Sequence, residues 1–489
     1  MRNRNLALAA AVLLLSFGAS ASRASNWPTF HGDPARTGSS SDSIRVPLSL
    51  LWSVSSGGQS IVASPVVADG VLYVGTYETS SDGSQPTGRL IAMGADTGTI
   101  YWVFPGPQDQ VSPIGAIQAA PTVVPGSIVF SSLDGWIYCL TPEGKLRWRY
   151  YTGGTAASSP LVLAGRVIVT SGFPNLGEVI GLSLATGQLI WDTKGKLASG
   201  TGQEQYLMGT LAAVGNSAVV LSRTGAVYSL DPADGHVLWS QQGAGGASLL
   251  APAVSNGRVY TVADAFSRVV QALPVDGGKP VWQWQYAEQP GMQTVSSPAT
   301  NGKLLVFGAG SPRQSVYALD AATGKPLWST EVGVSIGAYG CSSSPAIAGD
   351  VVLVGAADSA DAGGRLAVLD AATGKELQTD DALRTERPII ASPAVAGGRV
   401  FVADTGGTVK AFANTIPYGD PYSDGRIDIK DVMLAFRAAL GLEKLTPDQL
   451  AAADVEPVRG ATVGDGVINI SDVMSLLRRS LGLTPPTWP

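Results

Sequence analysis

Histidine and cysteine are almost missing from this chain, with two of each among 489 residues. His31 and His236 stand far apart, and the sequence contains no His-Glu-x-x-His string, no zinc-ligand spacing and no Walker-type phosphate loop. The motif routes to metallohydrolase and nucleotide-hydrolase chemistry are therefore excluded. Cys139 and Cys341 are widely separated, in repeats that are not neighbours. Two readings stay open for them: two separate buried thiols, or one disulfide in a compartment that permits it. Charge is scarce too, at 14% of residues, with a formal net charge of −6 and no basic run. Such a surface offers nothing for nucleic acid or an anionic membrane to grip.

Long hydrophobic runs are equally rare. Leu6 to Phe17 is the one near the start, and it is too short to span a bilayer. Arg2 and Arg4 precede it, and small residues follow, with Ala19-Ser20-Ala21 as the first choice of cleavage motif and Ser22-Arg23-Ala24 as the second. Residues 1–24 read as a signal peptide, an uncleaved anchor being the alternative. No cysteine lies in this region, so a lipid-modified N-terminal cysteine is not expected. The expected location is outside the cytoplasm: extracellular, cell-surface or periplasmic.

What the chain has in abundance is glycine, 60 residues, in a repeat. Each unit opens on a small residue and a proline: Ser64-Pro65, Ala120-Pro121, Ser159-Pro160, Ala251-Pro252, Ser297-Pro298, Ser344-Pro345 and Ser392-Pro393, with Gly209-Thr210 in the remaining unit. A turn glycine and a β-branched run follow, as in Gly70 and Val71-Leu72-Tyr73-Val74. The second half carries a glycine with a tryptophan four residues on: Gly98 and Trp102, Gly144 and Trp148, Gly187 and Trp191, Gly235 and Trp239, Gly278 and Trp282, Gly324 and Trp328. The seventh unit has Gln378 in the tryptophan place. Asp-x-x-Thr-Gly supplies turn chemistry, and one tryptophan per unit reads as a docking peg between sheets. Units begin near residues 63, 119, 158, 208, 250, 296, 343 and 391. Sheets this small are stable only when stacked on one another. The spacing predicts a mainly β fold, an eight-bladed β-propeller over residues 26–414. Leu50-Leu51-Trp52-Ser53 supplies the strand that the last unit lacks and so closes the ring.

The stretch from Ala318-Leu319-Asp320 through Thr323-Gly324 to Trp328 resembles the docking motif of the quinoprotein-type propeller repeat. That repeat is found in pyrroloquinoline-quinone (PQQ) alcohol dehydrogenases and in the propeller lipoprotein of outer-membrane assembly. Asn26-Trp27-Pro28-Thr29-Phe30-His31-Gly32-Asp33 with Arg36-Thr37-Gly38 resembles that family's lead-in segment. The resemblance implies the fold and leaves function open.

After a linker, residues 415–418, two segments match at an offset of 41: Gly425 to Met433 and Gly466 to Met474. The predicted unit, residues 419–484 with a tail at 485–489, is a small all-α calcium-binding module. In the first loop Asp420, Asp424, Asp428 and Asp431, with the carbonyl of Arg426, take calcium-ligand positions around Gly425. The second loop is irregular: Asp454, Asp465, Asn469 and Asp472, with the carbonyl of Val467, form its expected set. The paired loops resemble a dockerin, which implies two calcium ions and a cohesin-like protein partner. The partner-reading pairs are then Ile429-Lys430 and Ile470-Ser471, and Tyr422 departs from the family pattern at position 3.

Catalysis finds little support. Gly333-Val334-Ser335-Ile336-Gly337 matches a serine-hydrolase elbow as a string but lies in a connection between units. Quinoprotein enzymes hold PQQ and calcium in the channel, beside a catalytic aspartate and an adjacent-cysteine disulfide. No such cysteine pair exists here, and PQQ is not expected. Glycoside hydrolysis would need two facing carboxylates, and nothing selects a pair. The expectation is an exported, non-catalytic binding or scaffold disk, tethered through its calcium module. A PQQ-dependent dehydrogenase and a component of a polysaccharide-degrading assembly are the alternatives.

Overall fold

A computed structural model describes residues 25–483, apart from 80–84, 112, 173–176, 195–206, 208, 223–224, 243–249, 264–267, 287–293, 311–312, 335–342, 359–362, 423–425 and 460–461. The expected signal peptide, residues 1–24, Cys341, Asp424, most of the Gly333–Gly337 string and the tail 485–489 fall outside the described residues.

The chain is mainly β. The first repeat runs Val66–Ala68, Val71–Gly75, Leu90–Gly94 and Ile100–Phe104 as an antiparallel meander in chain order. Five further sheets have four strands each. The sixth and seventh repeats share one 11-stranded sheet, joined where Val334 pairs with Ala357. In the last repeat the outer place is taken by Ser49–Ser55, antiparallel to Thr408–Ala413, with Trp52 opposite Ala411. The first strands of successive repeats touch in cyclic order, and Val66–Ala68 of the first touches Ala394–Ala396 of the last.

Strand period explains why single repeats cannot stand alone. In Ser127–Ser131 every residue is buried. Ile128 and Phe130 pack into a core shared with the first repeat, while Val129 packs into one shared with the third. Alternate side chains leave opposite faces of a strand, so each sheet is completed by two neighbours.

Tryptophans bind the outer seam. The indole N–H groups of Trp52, Trp102, Trp148, Trp191, Trp239, Trp282 and Trp328 donate to carbonyls in the next repeat's turn at 2.9–3.1 Å: Ala95, Pro142, Leu184, Pro232, Val275, Ala321 and Ala371. Each indole lies against that turn's glycine. A Cβ added to Gly187 would stand 2.5 Å from Trp148, and one on Gly235 would stand 2.4 Å from Trp191. Both glycines also have positive φ, so any side chain would be strained as well as crowded. In the seam between the fourth and fifth repeats, Gly277 and not the repeat glycine Gly278 lies under the preceding tryptophan, Trp239. Gln378 closes the seam that lacks a tryptophan, donating to the Leu48 carbonyl at 2.9 Å and accepting from the Leu48 amide at 2.7 Å.

The C-terminal part holds three helices, α1 (Ile429–Ala439), α2 (Pro447–Ala453) and α3 (Ile470–Ser480). Capping boxes open all three: Asp428 with Asp431, Thr446 with Gln449, and Asn469 with Asp472. Val432 and Ala435 of α1 pack against Val473 and Leu476 of α3. This part is not all-α as expected. A short hairpin, Val458–Arg459 with Thr462–Val463, sits in the second loop, where two β-branched valines pair across the turn.

Candidate functional site

Two places gather polar chemistry: the axis of the repeat array and the loops of the C-terminal part.

At the axis the lead-in segment acts as a clasp. The amides of Val67, Val123, Ala213, Val254, Thr300 and Ile347 donate at 2.6–2.9 Å to the carbonyls of Trp27, Pro28, Pro34, Ala35, Thr37 and Gly38. Those six residues hold the second position of the first strand in six repeats. Ser40 Oγ reaches the equivalent carbonyl of Val395 in the last repeat at 3.5 Å. Arg36, fully buried, serves the third and fourth repeats: Nη2 donates to Pro160 O at 3.0 Å and Nε to Leu211 O at 2.9 Å. Its Nη1 donates to Phe30 O at 3.0 Å and to the Thr29 hydroxyl. Burial without a carboxylate partner lowers the Arg36 pKa to about 10, while Asp33 opposes that fall. His31 is also buried, and desolvation, with the nearby Arg36 charge as a lesser cause, lowers its pKa to about 3. The imidazole is thus neutral at pH 7. Both residues have positive φ, so the clasp is a sharply folded loop.

The first strands of the eight repeats contain no Asp, Glu, Lys, Arg or His. Hydroxyls at their starts bond neighbouring repeats: Ser159 N–H to Thr210, Ala251 N–H to Ser297, Ser297 N–H to Ser344, Ser344 N–H to Ser392, and Ser392 N–H to Ser64. A resident PQQ, a polycarboxylate, needs cations and hydrogen-bond donors. Every N–H-bearing nitrogen of Arg36 is already engaged, and the described axial residues therefore do not fit that group.

A pocket of about 410 Å3 lies off the axis in the first repeat, lined by residues that include Gln59, Glu78, Thr87, Arg89, Pro105 and Pro113. Gln59 Nε2 donates to Glu78 Oε2 at 2.6 Å.

In the C-terminal part, Asp420, Asp431, Asp454 and Asp472 are buried. Asp431 accepts from the amides of Asp428 at 2.8 Å and Tyr422 at 3.3 Å. Asp472 accepts from Val455 at 2.9 Å, Glu456 at 2.8 Å and Asn469 at 2.9 Å. Asp454 accepts from Asp465 at 3.1 Å and Gly466 at 2.5 Å. Burial pushes the carboxyls of Asp431 and Asp454 up, and the neighbouring Asp420 and Asp428, or Asp472 and Asp465, push them further. Two groups of like charges therefore sit in two loops, a setting that favours a divalent cation. The Val467 carbonyl accepts from Asn469 Nδ2 at 3.3 Å, and Arg426 lies in the first loop beside the undescribed Asp424. Ile429, Lys430, Ile470 and Ser471 are all exposed, in the first turns of α1 and α3. Among the described residues, the one trio that brings ligand atoms within 4.8 Å of one another is elsewhere: Asp231, Asp234 and His236, in a surface turn. Asp234 Oδ1 lies 2.6 Å from His236 Nδ1, and Asp231 accepts from the Ala233 amide, which is ordinary turn chemistry. Cys139 is a free, buried thiol.

Sequence reasoning missed the clasp and Arg36. The string Asp33 to Gly38 was visible as a family-like lead-in, but its hydrogen bonds are mostly between backbones and leave no side-chain pattern.

A family model described as outer membrane protein assembly factor BamB matches residues 87–196, 175–333 and 312–416. An outer membrane protein assembly factor BamB of Burkholderia pseudomallei is 30% identical over 238 residues, covering 47% of this chain and 60% of the relative. A polyvinylalcohol dehydrogenase of a Pseudomonas species is 30% identical over 142 residues, covering 25% of this chain and 22% of the relative. This chain thus spans less than two thirds of the length of either. The crystal structure of quinohemoprotein alcohol dehydrogenase from Comamonas testosteroni superposes with a TM-score of 0.63 at 16% identity, covering 94% of this chain and 91% of that one. That last likeness shows the fold.

Proposed function

We infer the function from the premise that the chain belongs to the family of the outer membrane protein assembly factor BamB. The proposed role is that of an exported, non-catalytic binding disk, with residues 26–414 forming an eight-bladed propeller and the C-terminal module tethering it to a protein partner. The uncharged first strands carry this reading. Their Val, Ala, Leu, Ile, Thr and Ser side chains are mostly buried between repeats and offer no acid, base or cation for turnover, and Arg36, held against them, is engaged on carbonyls and a hydroxyl. Cyclic contact of the first strands and the outer strand Ser49–Ser55 support the closed eightfold count.

For the tail we propose two calcium ions. Asp420, Asp424, Asp428, Asp431 and the Arg426 carbonyl would hold the first, and Asp454, Asp465, Asn469, Asp472 and the Val467 carbonyl the second. Buried carboxylates gathered in each loop support it. The family model stops at residue 416, and neither relative's name refers to a dockerin or to polysaccharide breakdown, so this part rests on the chain's own loops. Exposed Ile429, Met433, Phe436 and Leu440 line α1, and Ile470, Met474 and Leu481 repeat them on α3. An apolar stripe at helical spacing suits a protein partner, cohesin-like in the dockerin reading.

A PQQ-dependent dehydrogenase is the second reading. The names of the polyvinylalcohol dehydrogenase and of the quinohemoprotein alcohol dehydrogenase favour it over a polysaccharide-degrading assembly. Connections outside the described residues would then have to supply the quinone's cations. Calorimetry of the full chain separates the readings: heat with calcium and none with PQQ is expected, and saturable heat with PQQ would reverse them.

A further inference from the structure

A second pocket, about 260 Å3, lies where the repeat array meets the C-terminal part. Its lining comes from three separate stretches: Ser43 and Arg45 after the clasp, Gly398 in the turn of the last repeat, and Asn414, Ile416 and Tyr418 leading out of it. The chemistry of this lining is one-sided. Arg45 Nη1 and Asn414 Nδ2 are both buried and neither makes a well-formed hydrogen bond, although the Asn414 side chain lies close enough to act on the Tyr418 hydroxyl. The Asn414 amide cannot simply be turned over, because its Oδ1 already accepts from the Ile416 amide at 3.0 Å. Tyr418 donates to the Val46 carbonyl at a long 3.4 Å; burial pushes its pKa up, the Asn414 side chain and then the Arg45 charge oppose that rise, and the Asp454 carboxylate adds to it. No carboxylate lines the pocket. Asp42, close in sequence, is engaged by Ser25 Oγ at 2.5 Å and the Gly398 amide at 2.8 Å, and Arg45 forms no salt bridge. Buried donors in native proteins are nearly always satisfied, by protein, water or an ion. A guanidinium with a buried, unmatched N–H beside an amide donor and two hydroxyls is the donor set for an oxyanion.

We propose that this pocket binds a small oxyanion, through carboxylate or phosphoryl-type oxygens, and that the bound anion clamps the C-terminal part to the repeat array. Arg45 supplies the charge and Asn414 a directional donor, with the Ser43 hydroxyl as a further donor and Tyr418 lining the pocket. Since Arg45 precedes the first strand and Tyr418 begins the C-terminal part, one anion would tie together chain segments more than 370 residues apart, as the Tyr418–Val46 bond does alone.

The test is calorimetric titration of the full chain, at constant ionic strength, with inorganic phosphate, sulfate and malonate in separate runs. Saturable binding of at least one, with one ion per chain, is expected. Phosphate or sulfate alone would mark a tetrahedral oxyanion site, and malonate alone a carboxylate site; either supports the proposal. R45Q and, independently, N414L should each weaken binding about tenfold or more. The bound anion should also slow proteolysis at 415–417 in the parent chain but not in R45Q. No saturable binding of any of the three probes, or binding of equal strength in both variants, overturns it. Should R45Q fail to fold, N414L and the protease readout decide.

Discussion

The amide of Ser392 donates a hydrogen bond to the hydroxyl of Ser64 at 3.0 Å, across 328 positions of sequence. The last repeat therefore grips the first through the same contact by which Ser297 grips Ser344 and Ser344 grips Ser392. Trp52, in the strand Ser49–Ser55 that completes the last repeat's sheet, joins the same two repeats again through the Ala95 carbonyl. The last repeat's sheet is thus completed by a strand that lies ahead of the first repeat in sequence.

Ser64→Ala leaves the buried Ser392 amide without an acceptor. The expected loss is about 1–3 kcal/mol. Urea unfolding checks this, and Ser344→Ala should cost a similar amount, because its hydroxyl serves the same position two repeats earlier. A loss at Ser344 with none at Ser64 would mean that the closing seam is not formed in solution.

Gly187→Ala drives a methyl into the Trp148 indole and strains a backbone at φ +70°. Overpacking of this kind costs about 1–3 kcal/mol. Gly165→Ala is the control. It is also left-handed, at φ +72°, but its added Cβ would meet nothing within 4 Å. Thermal unfolding should lower the melting temperature more for Gly187→Ala than for Gly165→Ala, the difference measuring the indole contact.

His31 gives stability a dependence on pH. Its folded pKa of about 3 lies below the ordinary 6.5, because burial disfavours the imidazolium. The unfolded chain therefore binds a proton that the folded chain refuses. Stability is complete above about pH 6.5 and falls by about 1.4 kcal/mol per pH unit below it, levelling off near pH 3. His31→Gln should flatten this part of the profile in denaturant titrations between pH 6.5 and 4. An unchanged slope would show that His31 is protonated in the folded protein.

The repeat was legible because its physics is local and periodic. Gly187 with Trp191, or Gly324 with Trp328, recurs at a fixed spacing, and each pair needs only a turn and a bulky neighbour. Gln378 stood out as the exception, but its partner Leu48 did not, since a backbone amide and carbonyl carry no residue signature. The clasp was illegible for the same reason. Trp27, Pro28 and Gly38 use carbonyls, and Arg36 makes three of its four contacts to backbone oxygens. In the C-terminal part the duplicated Asp431 and Asp472 were visible as a repeat. The hairpin at Val458–Val463 was not, because two residues per strand are too few for an alternating pattern.

Calcium should act on the C-terminal part alone. Asp431→Asn and Asp472→Asn each remove one carboxylate from a separate loop. Each is expected to abolish one of two calcium-binding steps in calorimetry and to lower the calcium-induced rise in melting temperature. A single step lost in both variants would mean that the two loops share one ion.

The central claim is that the repeat array binds without turning over a substrate. The direct measurement is dye-linked oxidation of primary alcohols and of polyvinyl alcohol by the full chain, after incubation with PQQ and calcium. The account predicts dye reduction no faster than with protein omitted. Sustained, PQQ-dependent reduction would contradict it.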